Sequence, residues 1–246
     1  MSRNLSLDDE VHRRSSSLRR ISFSVTCLRS PHVAYLYMRL TRNLTGTGLV
    51  AQIGAVTLLA IIWASVLTND IILFSYHPLA QSLAIFLLIE SILSLQPTHT
   101  PAQKRVGQYL HGILNLLALL LLIVGITVIE YNKYLQGPGS HFHSIHGYLG
   151  VILAIVLLVQ YAVGFTMWAI PSLYGGEERA KAIWKHHRAS GYVVLVLLLV
   201  TVATATDTPY NHNVLGLKLW VVVVTSTLVL IGVVPRIQKQ KLGLSS

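Results

Sequence analysis

Four of the eleven histidines stand close to the start of a long apolar stretch: His77 in SYHPLAQ, His111 in YLHGILN, His146 in SIHGYLG and His187 in HHRASGY. None stands in the middle of one. Imidazole binds metals and carries protons, so the set offers metal binding or proton transfer. The single cysteine, Cys27, precedes the first apolar stretch, and Glu90 is the only acid inside any of them. A metal held within the stretches must therefore take histidine or carboxylate ligands. Zinc takes about four ligands, more than two facing imidazoles supply. Haem iron receives four from its porphyrin and needs two axial ligands from the protein, so one histidine from each of two helices is enough.

The elements that position these residues follow from composition. Hydrophobic residues make up 53% of the 246 and charged residues 11%, a balance that excludes a soluble domain. A membrane span needs about 20 mostly apolar residues, and six stretches qualify: Thr47 to Thr68, Ile71 to Leu95, Val106 to Ile129, Ile145 to Ile170, Ala189 to Thr206 and Val214 to Val234. The expected fold is an all-α membrane protein, a six-transmembrane helix bundle. The expected division is a basic cytosolic tail over 1–45, the six-helix domain over 46–235 and a second basic tail over 236–246.

Successive spans run in opposite directions. The starts of spans two and four share one level, and those of three and five share the other. His77 therefore faces His146, and His111 faces His187. A single histidine at a span start is commonly an interfacial residue with one ring edge wet. Four on consecutive spans, always at starts and never on the first or last span, are not what that preference alone produces.

The +10 net charge is unevenly placed. Eight arginines precede the first span; Lys104 and Arg105 lie between spans two and three, Arg179, Lys181, Lys185 and Arg188 between four and five, and Arg236, Lys239 and Lys241 at the end. The other side has Lys133 and Lys218 against Asp70, Glu130 and Asp207. The positive-inside rule places both termini in the cytosol. The sequons at Asn4 and Asn43 then face away from the glycosylation machinery. The tail lacks the pattern of a cleaved secretory signal, and RRSSSLRRIS reads as a basic segment attracted to anionic lipid, with Ser16 and Ser22 as candidate phosphorylation sites. Apolar residues from Val33 to Leu44 recur at helical spacing, which predicts a short interfacial helix.

Glycines suit a flat macrocycle. Gly150 and Gly191 follow His146 and His187 by four residues, on the same helix face; Gln81 and Asn115 hold that offset from His77 and His111, as haem-edge donors or as helix–helix contacts. Gly125 follows His111 by fourteen residues and Gly164 follows His146 by eighteen, returning to the histidine face roughly 21 and 27 Å deeper. Gly125 and Gly164 are each expected beside the haem at the opposite membrane face, with ordinary close helix packing as the alternative reading.

Six spans with one histidine each on spans two to five, spaced by 34, 35 and 41 residues, resemble the cytochrome b-561 family of transmembrane ascorbate-dependent reductases over about Gly46 to Pro235. The resemblance implies two haem b groups, with His77 and His146 as axial ligands of the non-cytosolic haem and His111 and His187 as those of the cytosolic one. It implies electron transfer from cytosolic ascorbate to monodehydroascorbate or ferric iron across the membrane, and no catalytic residue beyond the haems. Lys104, Arg105, Lys181, Lys185 and Arg188 would ring the cytosolic haem and attract the anion. Arg105 and Lys181 each stand six residues before a haem histidine, close to where the family places basic ascorbate contacts. On the other side His141, His143, Tyr131 and Tyr134 would meet an iron chelate or shuttle a proton. His12, His32, His99, His186 and His212 have no assigned role.

The chain departs from the better-known ascorbate reductases, which carry an arginine-containing run where it has ESILSLQPTH, and a serine–tryptophan pair after the third histidine where it has HGYLG. It is similar to the short, domain-only branch. No nucleic-acid role is expected; membrane lipid and a second copy in a homodimer are the expected macromolecular partners. The alternative reading is a haem-free proton or metal transporter using interfacial histidines, and a third is a membrane scaffold whose tail recruits partners.

Overall fold

The computed structural model describes residues 43–137 and 141–244. Six helices long and apolar enough to cross a membrane account for most of them: α1 (Gly46–Leu67), α2 (Tyr76–Leu95), α3 (Pro101–Gln136), α4 (Ile145–Ala169), α5 (Glu177–Ala205) and α6 (Leu219–Val233). Short 3-10 turns precede α2 at Leu73–Ser75, follow α4 at Pro171–Tyr174 and follow α6 at Val234–Arg236 and Lys239–Leu242. Helices dominate because backbone groups in lipid must be satisfied within their own segment. The basic segment with Ser16 and Ser22, and the Val33 to Leu44 helix up to residue 42, lie outside the described residues.

Two helices are longer than their apolar stretches. α3 begins at Pro101 because the Thr100 hydroxyl accepts from the Gln103 amide and the Gln103 side chain returns to the Thr100 N–H, a capping box that starts the helix before the apolar band. Its other end runs to Gln136, so Tyr131 and Tyr134 sit in the last turns of a helix. Likewise α5 opens at Glu177, and Arg179, Lys181, Lys185 and Arg188 ride on helix where the hydropathy shows connection. Hydropathy marks where lipid begins, whereas capping marks where the helix begins.

α2 packs along α3, α4 along α5 and α1 along α6, with α1 also against α2 and α6 against α5. No comparably packed pair joins α2 to α4 or α3 to α5. The α1–α6 seam is built on small residues: a Cβ on Gly232 would fall on Ala51, and one on Gly54 on the backbone of Thr225 and Val229, which lets the two helices touch closely. Ile89, Leu93, Leu198, Val66, Val222 and Val229 are fully buried. Most other large apolar side chains of α3 and α4 face outward, as lipid contact requires.

Six spans return the chain to the face it started from. The connections 96–100 and 170–176 share that terminal face with residues 43–45 and 234–244, while 68–75, 141–144 and 206–218 lie at the far face.

Candidate functional site

The start of α2 and the start of α4 meet at the far face, where the rings of His77 and His146 lie 6.3 Å apart between centroids at an interplanar angle of 82°. At the terminal face the starts of α3 and α5 bring His111 and His187 to 6.5 Å and 88°. Each pair joins two helices that are not packed on one another.

Three of the four imidazoles are held from behind. His77 Nδ1 is 2.9 Å from the Gly125 carbonyl, His146 Nδ1 2.9 Å from that of Thr201, and His111 Nδ1 3.1 Å from that of Ser91. A carbonyl only accepts, so each Nδ1 donates and Nε2 keeps its lone pair for a metal. Gly125 is fourteen residues after His111, Ser91 fourteen after His77 and Thr201 fourteen after His187. Fourteen residues rise about 21 Å, the distance between the two histidine levels on antiparallel neighbours. Every contact is therefore made to the adjacent helix at the height of the other helix's far end. His187 is the exception: its Nδ1 is buried with no acceptor among the described residues.

Among the other residues singled out in the sequence, Gly125 packs beneath Gln81, whose amide donates to the Leu122 carbonyl at 3.2 Å. Gly164 lies against the His187 ring, where a Cβ would come within 3.0 Å of Cε1. Both glycines stand beside the histidine of the opposite face from the one on their own helix. Gly191 lies against Gln160, while a Cβ on Gly150 would meet nothing within 4 Å. Asn115 donates to the Ser91 hydroxyl at 2.9 Å, so both amides one turn past a histidine make helix–helix bonds. Lys104 and Arg105 are exposed in the first turns of α3. Lys181 forms ion pairs with Glu177 at 3.0 Å and Glu178 at 3.1 Å, so its charge is shared with two carboxylates. His141 is 3.4 Å from Glu130, and His143 is exposed.

The sequence reading missed the backbone carbonyls and the residues around the rings. Phe74 lies 6.0 Å from the His77 ring and 4.3 Å from Tyr210, whose hydroxyl is 3.2 Å from that of Ser75. On the terminal side Gln160 Nε2 donates to the His187 carbonyl at 3.1 Å. The fourteen-residue offset, applied to every histidine, was the signal that would have found Ser91 and Thr201.

These residues fit haem. Two imidazoles that share one ion at about 2 Å per nitrogen have ring centres ~6.3 Å apart, which is the spacing of both pairs. Among the described residues no three or more His, Cys, Asp or Glu side chains converge, so each pair suits an ion whose remaining ligands come from elsewhere, as in a porphyrin. The open space beside Gly150, one turn from His146, leaves room along that helix face.

The comparisons agree with this geometry. The family model described as eukaryotic cytochrome b561 matches residues 76–210, which begin one residue before His77 and hold all four histidines. The chain is 27% identical over 130 residues to the human transmembrane ascorbate-dependent reductase CYB561, covering 52% of this chain and 50% of that protein. It is 24% identical over 105 residues to the human lysosomal membrane ascorbate-dependent ferrireductase CYB561A3, covering 42% and 43%. The chain spans about half the length of the curated relatives it matches. With a matched region that covers more than half of its residues and encloses both histidine pairs, the chain belongs to the eukaryotic cytochrome b561 family, which implies b-type haem.

Proposed function

We propose that this protein carries electrons across a membrane through two bis-histidine b haems, from cytosolic ascorbate to monodehydroascorbate or ferric iron on the opposite side. The observation that carries the reading is the presence of two separate imidazole pairs, one per face, each at the spacing of a shared ion. Held between an imidazole from each of two helices, a haem would supply one-electron exchange there. His77 and His146 would hold the far-face group, and His111 and His187 the terminal-face group. The carbonyls of Gly125, Ser91 and Thr201 orient three of these rings, and Gly164 seats the fourth.

Substrates then meet the haem edges from outside the bundle. At the terminal face Lys104, Arg105 and Lys185 attract an anionic donor, with Lys181 a weaker contributor because Glu177 and Glu178 offset it. At the far face His141, His143, Tyr131 and Tyr134 stand where an iron chelate would arrive. The charge bias supports a cytosolic terminal face. Asn43 is buried there and hydrogen-bonded to Arg236 at 2.6 Å, a placement that disfavours a glycan independently of topology. The six-helix unit over 46–235 is the electron-carrying domain, and 1–45 and 236–246 are its flanking basic segments.

The test is transfer across a sealed bilayer. Vesicles holding ascorbate inside should reduce an external ferric chelate when the protein is inserted with its terminal face inward, and dithionite should show the haems to be the carriers. No transfer by haem-loaded protein of known orientation would contradict the reading.

A further inference from the structure

The chain does not leave the bundle after α6. Gln238 donates to the Gln96 carbonyl, and Lys241 Nζ donates to the Thr98 carbonyl at 3.0 Å, the Thr98 hydroxyl at 3.2 Å and the Leu95 carbonyl at 3.5 Å. Arg188 Nη1 in turn donates to the Lys241 carbonyl at 2.9 Å, and a Cβ on Gly243 would come within 3.2 Å of Lys185. The 3-10 turn Lys239–Leu242 thus ties the end of α2 to the start of α5, beside His187.

Charge makes this more than a strap. From Ser91 to Gln103 the chain has no lysine or arginine, so the cations at the end of α2 arrive from the segment after α6: Arg236 on the Gln96 side chain at 3.2 Å and Lys241 on the Leu95 and Thr98 carbonyls. Arg188, bonded to the Lys241 carbonyl, and Lys104 both lie close enough for their charges to act on the Lys241 ammonium. No ion pair to a carboxylate involves any of the three among the described residues, and Glu177 and Glu178, earlier on α5, are paired with Lys181. Holding three cations together around a half-buried ammonium costs free energy that a bound anion offsets. Burial, with Arg188 and Lys104 nearby, pulls the Lys241 ammonium down to about 8.

We propose that Lys241 is a specificity-determining residue for the electron donor: with Arg188 and Lys104 it forms a three-cation seat for a small organic anion at the terminal face. This rests on the proposed function, in which that face meets ascorbate. The engaged donors of Lys241 fix its position, so the lysine acts by its charge as well as by tying down the turn.

The experiment uses full-length, haem-loaded protein in neutral-lipid nanodiscs. With the haems first reduced by dithionite and the reductant removed, ascorbate can bind without reacting, and calorimetry reads affinity alone. Lys241→Gln keeps a donor for Thr98 but removes the charge; it should weaken ascorbate binding roughly five- to tenfold at low salt, with the difference shrinking at physiological ionic strength, where the screening length is about 8 Å. Lys241→Arg should restore binding. In rapid reduction of the oxidised protein, Lys241→Gln should raise the KM for ascorbate, leave kcat unchanged and leave reduction by uncharged hydroquinone unaffected. Unchanged ascorbate affinity in Lys241→Gln, or equal slowing with both donors, would overturn the proposal. A wild-type protein without haem, or not reduced by ascorbate, would instead sink the functional reading itself.

Discussion

At the far face both imidazoles of the pair are backed by a carbonyl, Gly125 behind His77 and Thr201 behind His146; at the terminal face Ser91 backs His111 while His187 Nδ1 is buried without an acceptor. The fourteen-residue rule explains the difference. The counterpart for His187 would be the carbonyl of Gln160, fourteen residues after His146. The Gln160 side chain is instead spent on the His187 carbonyl and on Ser190, and Gly164 presses against the ring. An imidazole whose N–H is hydrogen-bonded is a stronger electron donor to its metal, and such bonds tune haem potentials. With Arg188, Lys104 and Lys241 clustered on the same side, the terminal-face haem should be the more easily reduced of the two. The two sites share one geometry and differ in electronic support.

The largest effects should separate the pairs outright. His77→Ala and His146→Ala are each expected to abolish the far-face haem and leave the other reducible by ascorbate, and His111→Ala and His187→Ala to do the reverse. Haem content would fall by about half in each case, and low-temperature paramagnetic resonance identifies which signal disappears. His141→Ala and His143→Ala should retain both haems and at most slow delivery to the external acceptor. Loss of the same haem in His146→Ala and His111→Ala would break the pairing.

A crossed effect comes next. A Cβ at Gly125 would come within 2.5 Å of the Gln81 amide, and Gly125 carries the acceptor for His77 although it shares α3 with His111. Gly125→Val should cost about 1–3 kcal/mol through overpacking and impair the far-face haem selectively, seen as a shifted far-face signal beside an intact terminal-face one.

The electronic difference is tested by a matched pair. Gly164→Ala and Gly164→Ser crowd the His187 ring alike, with a Cβ 3.4 Å from Nε2 and 3.8 Å from Nδ1, but serine adds a hydroxyl within reach of Nδ1. The serine variant should lower the terminal-face midpoint potential relative to alanine, by about tenfold in the redox equilibrium or ~59 mV for one electron, with the far-face haem unmoved. Equal potentials in the two variants would remove the hydrogen-bond account.

Smaller effects concern charge at the terminal mouth. Above pH 8 the Lys241 ammonium, which burial and its cationic neighbours hold near 8, loses its proton, so ascorbate affinity should fall as pH rises through that range. Arg188 from α5 and Lys104 from α3 act on it, Lys185 lies against Gly243 two residues on, and Lys239 shares its turn. Lys241→Arg should flatten the profile, as binding measurements on reduced protein would show. Lys181→Gln should change ascorbate reduction less than twofold and Arg105→Gln more, since exposed pairs such as those of Lys181 already offset its charge.

Much of this was legible in the sequence. Six apolar stretches gave the helices, and their alternating direction put His77 level with His146 and His111 level with His187, because level is a property of topology. Helical arithmetic also placed Gly125 and Gly164 near the opposite histidine. The ends of α3 and α5 were not legible from hydropathy, since Thr100 and Gln103 cap a helix outside the apolar band. The acceptors behind the rings are backbone atoms, which any residue type supplies, so residue identity at Ser91 and Thr201 carried no signal and spacing alone did. Lys241 was hidden for another reason: its place depends on how the chain folds back after α6, and a basic tail looks the same whether it dangles or docks.

The central claim is that each imidazole pair holds one haem. The most direct measurement is the haem-to-protein ratio of the purified full-length chain, by pyridine haemochrome against amino-acid analysis, together with the spectrum of the dithionite-reduced protein. Two haems per chain are predicted, with a split or asymmetric low-spin b-type α-band in the reduced protein and, in the oxidised protein, two paramagnetic resonance signals of the strongly anisotropic kind that near-perpendicular imidazole planes produce. A ratio of one would leave a histidine pair without its ion, and a colourless protein would contradict the account altogether.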